Sequence, residues 1–240
     1  MSTTVVLFDL DDTLFDHQYA AHMALKTVHA EFVAKTHIPF EVFENVHWEL
    51  MDTLHRHIVS GEMSLDQVRV LRFQQLLARF DLDLPHSPLQ LANRQRSVFL
   101  DNRQLIPGAQ ALLIALRQQG IQIGIITNNT LNEQVDKLAH LGIADFIDQL
   151  ITVDVVGVGK PEPDIFHFAL ARHRCDPDQA VMVGDSWEND IQGAANAGIR
   201  SVWLNRRHLP RASNTPCSEI HHLTPTDKTV AVILGHNQNN

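Results

Sequence analysis

The 240-residue sequence predicts an α/β protein with a doubly wound parallel sheet and a smaller, all-helical second domain. Two observations lead to this fold class. After residue 104, short apolar segments alternate with segments of helical periodicity, which is typical of parallel strands joined by right-handed crossovers. Residues 16–103 instead consist of long helical stretches with few β-like segments. We therefore expect a discontinuous core of residues 1–15 and 104–240, with a helical insertion at 16–103.

The first strand is predicted at residues 4–8, a β-branched and aromatic run that suits a strand buried on both faces. Further strands are predicted at 121–126, 149–153, 180–183 and 201–204, each after a helical segment. A weak final element is expected at 228–234, and the polar end 235–240 is expected to fray. In the insertion, helices are predicted at 19–33, 40–57 and 65–80, separated by turn signals at Pro39, at Ser60-Gly61 and at 85–88.

Composition and charge exclude several classes of protein. The formal net charge of −9 argues against a nucleic-acid polymer as partner, because backbone binding needs clustered Lys and Arg. The two cysteines, Cys175 and Cys217, have no metal-site spacing and are interpreted as free thiols in a reducing compartment. The start resembles no signal peptide and no apolar run nears the roughly 20 residues of a membrane span, so we expect a cytoplasmic protein with no membrane partner.

Polar side chains follow the predicted strands at the points where they end. Asp9 and Asp11 come directly after the first strand, and Thr127 and Asp185 end two later ones. Because ligands of doubly wound sheets bind beyond the carboxyl ends of the strands, these distant segments are expected to meet in one crevice. Taken alone, an acid after a strand is as well explained by a turn or a helix cap. Several acids at one strand end repel each other, however, and indicate a bound cation.

Four segments resemble, in order, the motifs of the haloacid dehalogenase-like phosphatases. Asp9, Asp11 and Thr13 match the Asp-x-Asp-x-Thr of the first motif. The others are Ile125-Ile126-Thr127-Asn128, Gly157-Val158-Gly159-Lys160-Pro161-Glu162-Pro163 and Gly184-Asp185-Ser186-Trp187-Glu188-Asn189-Asp190. Each is modest support by itself, but four in order make a chance match improbable. The resemblance covers residues 4–205, and the insertion matches the helical cap of this family in position and helical character.

The resemblance implies Mg²⁺ as the cofactor. Its ligands would be the side chains of Asp9 and Asp185 and the backbone carbonyl of Asp11, with Asp190 as a further ligand or an orienting group. Asp9 would attack phosphorus and carry the phosphoryl group. Asp11 would protonate the leaving oxygen and then take a proton from the hydrolytic water.

The same resemblance assigns phosphate binding to Thr127, Asn128 and Lys160. Thr127 and the backbone after it would donate hydrogen bonds to the phosphoryl oxygens. Lys160 would offset negative charge on the phosphate and on Asp9. The 15 histidines include no pair at i and i+4, so they are not interpreted as a metal site.

The predicted function is hydrolysis of a small phosphorylated metabolite, with a nucleoside monophosphate ranked first and flavin mononucleotide or acylneuraminate phosphates as alternatives. A haloacid dehalogenase, a sugar phosphomutase and a non-enzymatic binding module are the rival functions. Asp11 argues against a dehalogenase, since those enzymes generally lack this second acid. The insertion offers Arg56, His57, Arg69 and Arg72 as substrate contacts without a choice among them. The oligomeric state is left open between monomer and homodimer.

Overall fold

The computed structural model describes residues 2–59 and 61–235. The predicted turn residue Ser60 and the polar end after Gly235 lie outside these residues. The chain divides into two compact units. One comprises Met1–Asp16 and Gln104–Asn240, and the other is His17–Arg103. None of the described helices is both long enough and apolar enough to span a membrane.

The first unit is built on a six-stranded sheet in which every pair of neighbours is parallel. Its strands lie in the order β3-β2-β1-β4-β5-β6. They are β1 (Val5–Phe8), β2 (Gln122–Thr127), β3 (Gln149–Thr152), β4 (Ala180–Gly184), β5 (Arg200–Leu204) and β6 (Ser218–Ile220). The predicted doubly wound parallel sheet is thereby confirmed, and β6 is a strand that the sequence analysis did not predict.

The described residues of the second unit contain helices and connecting turns without a strand. The helices are α1 (His17–Val28), a π-helical turn (His29–Val33), α2 (Phe40–Val59), α3 (Leu65–Arg79) and α4 (Pro88–Asp101). Ser64 and Ser87 form capping boxes that start α3 and α4, in which each serine side chain accepts from a backbone N–H three residues on. An apolar cluster that includes Phe43 and Phe73 forms the core of this unit.

The helices of the first unit pack on the sheet and connect its strands. They are α5 (Ala109–Gln118), α6 (Leu131–His140), α7 (Val153–Val156), α8 (Pro163–His173), α9 (Gly193–Asn196) and α10 (Thr226–Leu234), with a π-helical segment at Trp187–Gln192. Ile165 and Phe166 of α8 pack in one buried cluster with Val5 and Leu7 of β1. All four residues of β1 are buried, so both faces of the strand are covered, as its continuous apolar run predicts.

The strand register brings the polar strand ends to one edge of the sheet. Phe8, the last residue of β1, lies beside Ile125 of β2 and Val183 of β4. Asp9, Thr127 and Asp185 follow these three residues by one or two positions. Because the strands are parallel, their carboxyl ends and the polar side chains beyond them share this edge.

Candidate active site

Asp9 is fixed at the tip of the central strand. Its backbone N–H donates to the carbonyl of Val183 at 2.9 Å, which continues the ladder between β1 and β4 by one residue. Its side chain accepts a hydrogen bond from Lys160 Nζ at 2.7 Å, and the residue is 8% exposed.

The chain turns back directly after Asp9. Asp12 has a φ of 66°, a conformation that Asp tolerates better than most residues. The backbone N–H groups of Leu14 and Phe15 both donate to the carbonyl of Leu10.

Lys160 joins two buried carboxylates. Its ammonium lies 2.7 Å from Asp9 Oδ1 and 2.6 Å from Asp190 Oδ1. The Asn128 side chain forms two hydrogen bonds with the backbone of Lys160. Its amide nitrogen donates to the Lys160 carbonyl at 2.8 Å, and its Oδ1 accepts from the Lys160 N–H at 2.7 Å. The Asn128 side chain thus positions Lys160, which leaves the Asn128 backbone for the predicted phosphate contact.

Three carboxylates face one another around this lysine. Oxygens of Asp9, Asp185 and Asp190 all lie within 4.8 Å of one another. Asp190 Oδ2 also accepts from the backbone N–H of Ser186 at 2.9 Å. The indole of Trp203 donates to the carbonyl of Asp185 at 2.8 Å and so holds that residue from behind. The structure therefore brings together the predicted residues Asp9, Lys160, Asp185 and Asp190.

Burial and, after it, the mutual repulsion of these acids raise the pKa values of Asp9 and Asp185. Burial raises the pKa of Asp9 to about 7; Lys160 opposes the shift, and Asp190 and Asp11 add to it. Burial, with Asp9 and Asp190 adding to it, raises the pKa of Asp185 to about 9. Burial lowers the pKa of Lys160, but attraction by Asp190 and Asp9 outweighs burial and leaves that pKa above its ordinary value. One lysine does not balance three carboxylates, so the cluster has room for more positive charge.

The donor set fits Mg²⁺. All three converging side chains present carboxylate oxygens, which a hard divalent cation prefers, and no histidine or cysteine joins the group within the described residues. A divalent cation would also offset the repulsion that, after burial, raises the pKa values of Asp9 and Asp185. The metal prediction made from sequence is therefore compatible with the arrangement of these residues.

Asp11 has a separate set of partners, which the sequence analysis missed. Its carboxylate accepts from Gln134 Nε2 at 3.0 Å and forms an ion pair with Lys137. Gln134 also donates to Thr127 Oγ1 at 2.8 Å and so links Asp11 to the end of β2. Lys137 Nζ lies 4.7 Å from the centre of the Phe15 ring. The second predicted acid thus has hydrogen-bond partners that differ from those of Asp9.

The missed residues left one weak signal in the sequence. Gln134 and Lys137 stand three positions apart on α6, just after Thr127, so they share a helix face. Both are almost fully buried, at 0% and 4% exposure, which is unusual for these residue types. Spacing alone does not distinguish such a pair from a solvated polar face.

Gly184 makes room for the lysine–carboxylate bridge, and this gives a first prediction. A Cβ at this position would lie 2.3 Å from Asp190 Cγ, so Gly184→Ala must displace the carboxylate from Lys160. We expect turnover to fall at least about tenfold and the melting temperature to drop, because overpacking typically costs about 1–3 kcal/mol. Steady-state kinetics and a melting curve measure both effects. Gly142→Ala is the control for an added methyl group without overpacking, since no described atom lies within 4 Å of its added Cβ. Its positive φ of 66° adds backbone strain that Gly184 does not have. A Gly184→Ala enzyme as active as that control would contradict the packing argument.

Comparison with known proteins gives relatives along most of the chain. The sequence pattern of the haloacid dehalogenase-like hydrolases matches residues 3–198. A glyceraldehyde 3-phosphate phosphatase of Pyrococcus abyssi (strain GE5 / Orsay) is 36% identical over 204 residues, which are 83% of this chain and 80% of the relative. Pyrimidine 5′-nucleotidase YjjG of Escherichia coli (strain K12) is 31% identical over 205 residues, 85% of this chain and 86% of the relative.

Solved structures share this fold over most of the chain. The HAD-hydrolase YfnB of Bacillus subtilis, solved bound to magnesium, superposes with a TM-score of 0.77 at 25% identity, covering 98% of this chain and 99% of its own. Crystal structures of 2-haloacid dehalogenases have the same fold. Fold by itself therefore does not separate phosphate chemistry from halide displacement, and the site residues must decide.

Proposed function

Since the chain belongs to the haloacid dehalogenase-like hydrolase family, we propose that it is a Mg²⁺-dependent phosphatase that cleaves a small phosphomonoester through an aspartyl-phosphate on Asp9. The observation that carries the proposal is that the two acids of the first motif have different partners. Asp9 lies buried against Lys160 in the carboxylate cluster, whereas Asp11 is held separately by Gln134 and Lys137. Relatives named as phosphatases support the same reaction class.

In the first step a carboxylate oxygen of Asp9 forms a bond to phosphorus while the bond from phosphorus to the leaving oxygen breaks. Asp11, protonated at this stage, gives its proton to that leaving oxygen. In the second step water attacks the phosphorus, Asp11 takes up the proton of the water, and the carboxylate of Asp9 is released. Phosphate and an alcohol are the products.

Positive charge and hydrogen-bond donors stabilise the transferring phosphoryl group. Mg²⁺, held by Asp9, Asp185, Asp190 and the backbone carbonyl of Asp11, would supply charge that lets a dianion approach these acids. Lys160 adds a fixed positive charge beside Asp9. The hydroxyl of Thr127 accepts from Gln134 and from the Asn129 N–H at 3.2 Å, so its own hydrogen is directed elsewhere and can be donated to phosphate together with the Asn128 N–H.

The protonation of the leaving group favours phosphate chemistry over halide displacement. A halide leaves as a stable anion and needs no proton, whereas an alkoxide is a poor leaving group unless an acid protonates it. A second acid at Asp11 is therefore useful to a phosphatase and not to a dehalogenase, and Gln134 and Lys137 hold it in place. A sugar phosphomutase would use the same groups and differ only in where the phosphoryl group goes.

Two candidate substrates and a role for the helical unit follow from the motif resemblance and the comparisons. A nucleoside monophosphate remains the first candidate from the motif resemblance, and a triose phosphate stands beside it because of the name of the 36% identical relative. We propose that the unit His17–Arg103 acts as the cap of this family, which excludes water during the reaction. The enzyme would act in the cytoplasm as a monomer or homodimer.

Phosphate release from a panel of phosphomonoesters tests the proposal. The panel contains pyrimidine and purine nucleoside monophosphates, glyceraldehyde 3-phosphate, flavin mononucleotide, acylneuraminate and sugar phosphates, with and without Mg²⁺. We expect release concentrated on one class, loss of more than about 99% of it after metal removal, and recovery on adding Mg²⁺. Full activity without metal, halide release from 2-haloacids, or transfer of phosphate to a sugar in place of water would each replace the proposed function.

Gln134 provides a test of how Asp11 is positioned. Gln134→Met keeps the side-chain volume but removes the donor to Asp11 and to Thr127. We expect kcat to fall about tenfold, since a hydrogen bond to a charged group contributes about 1.5–3 kcal/mol and the Lys137 contact remains. The exposed Gln119 at the end of α5 gives the matched control, Gln119→Met. Equal kcat values for the two variants would show that Gln134 does not support Asp11.

A further inference from the structure

The core of the helical unit contains a polar cluster that the proposed reaction does not use. His47 of α2, Arg72 of α3 and Gln95 of α4 converge there, with exposures of 2%, 8% and 9%. Gln95 Nε2 lies 3.0 Å from His47 Nε2, and Arg72 Nη1 lies 3.5 Å from the same atom. Phe73 and Trp48 flank the imidazole, with ring centres 5.9 and 6.1 Å away.

The hydrogen-bond roles in this cluster follow from Arg72. A guanidinium can only donate, so Nε2 of His47 is the acceptor for Arg72 and for Gln95. The imidazole proton then sits on Nδ1. Burial, and after it the charge of Arg72, lowers the pKa of His47 well below its ordinary value, so the ring is neutral at physiological pH.

The hydrogen bonds within this cluster leave two N–H donors unused and the positive charge of Arg72 uncompensated. His47 Nδ1 and Arg72 Nε are enclosed and have no hydrogen-bond partner among the described residues. Within the part of the chain that the structure describes, no carboxylate pairs with Arg72. Burial, followed by repulsion from Arg69, lowers the pKa of Arg72 to about 10, which still leaves it charged at neutral pH.

An unpaired buried cation calls for a counterion. Buried charges in proteins are ordinarily paired, as Lys160 is by Asp9 and Asp190. A trapped water could accept from the free donors, but it brings no negative charge and leaves the guanidinium uncompensated. An oxyanion supplies both the acceptor oxygens and the charge, and the planar fork of arginine suits carboxylate and phosphate.

We propose that Arg72 and His47, supported by Gln95, form a binding site for an oxyanion such as a carboxylate, phosphate or sulfate. The occupant is a free anion that the helical unit binds with its own residues, so the proposal does not rest on the phosphatase function.

Thermal melting of the full-length, metal-stripped protein tests the site without catalysis. Sodium sulfate is titrated against sodium chloride at constant ionic strength, with the wild type, Arg72→Met and Arg94→Met compared. Arg94 is the control because it is an arginine of the same unit that already pairs with Glu31, at 2.6 Å. We expect a saturable rise in melting temperature of about 5–10 °C at 100 times Kd in the wild type and in Arg94→Met, and none in Arg72→Met.

Without sulfate, Arg72→Met is expected to melt at or above the wild-type temperature, because the variant removes an unpaired buried charge. A purely structural arginine would give the opposite result, a lower melting temperature with no dependence on sulfate. The absence of any Arg72-dependent sulfate shift overturns the proposal, whatever the enzyme hydrolyses.

Discussion

Replacing Asp9 by Asn is expected to abolish phosphate release while leaving the protein folded. The substitution keeps the shape of the side chain but removes the nucleophilic oxygen, and loss of a covalent nucleophile lowers turnover by at least about 10⁴-fold. Folding should survive because Lys160 keeps its second partner, Asp190, at 2.6 Å. In the absence of metal the melting temperature should stay level or rise, since one of three mutually repelling carboxylates has been removed.

Asp164→Asn is the matched control for this experiment. It makes the same chemical change at an exposed residue in the first turn of α8. We expect its kcat and melting temperature to lie close to those of the wild type. Phosphate release by Asp9→Asn at the rate of this control would reject the aspartyl-phosphate mechanism, and isolation of a labelled phosphoenzyme from the wild type alone would support it.

The strand ends that form the site could be located from the sequence because each apolar strand segment stops abruptly at a polar residue. Buried parallel strands are continuous apolar runs, so the first acid after such a run, Asp9 or Asp185, lies at the carboxyl edge of the sheet whatever the loop lengths. Register then follows from pairing of the strands. The predicted boundaries differ from those observed by one residue at most in β1, β2, β3, β4 and β5.

The edge strand β6 could not be predicted from the sequence. β6 comprises only Ser218–Ile220, follows a segment rich in Pro and Ser, and has no apolar pattern of its own. Its pairing is decided by the open edge of β5, whose Val202, Trp203 and Leu204 offer unpaired backbone groups. Local sequence does not encode such an edge, which exists only after the rest of the sheet has formed.

The partners of Asp11 were hidden for a similar reason. Gln134 and Lys137 reach it across 123 and 126 positions of sequence, and α6 looks like an ordinary amphipathic helix with a polar face. The cluster of His47, Arg72 and Gln95 joins three helices in the same way. The sequence indicated Arg72 only as one of four candidate substrate contacts. Its burial without an acidic partner in the described part of the chain distinguishes it from the other three.

Asp11→Asn should separate the two chemical steps. With an alkyl phosphate, whose leaving oxygen needs a proton, we expect kcat to fall by about 10²–10⁴-fold, the usual contribution of general acid–base catalysis. With p-nitrophenyl phosphate the leaving phenolate is stable, so formation of the aspartyl-phosphate on Asp9 should be much less affected. Hydrolysis of that intermediate still lacks its base and should become rate-limiting.

A rapid-mixing experiment with p-nitrophenyl phosphate measures the formation and the hydrolysis of the aspartyl-phosphate separately. The Asp11→Asn enzyme should give a burst of nitrophenol close to one equivalent per active site, followed by slow turnover, and acid quenching should trap the phosphoenzyme. Lys137 and Gln134 lose their acceptor carboxylate in this variant, so a melting curve checks that the site stays folded. An equal loss of rate with both esters and no burst would mean that Asp11 shapes the site without moving protons, because only a proton-transfer role makes the effect depend on the leaving group.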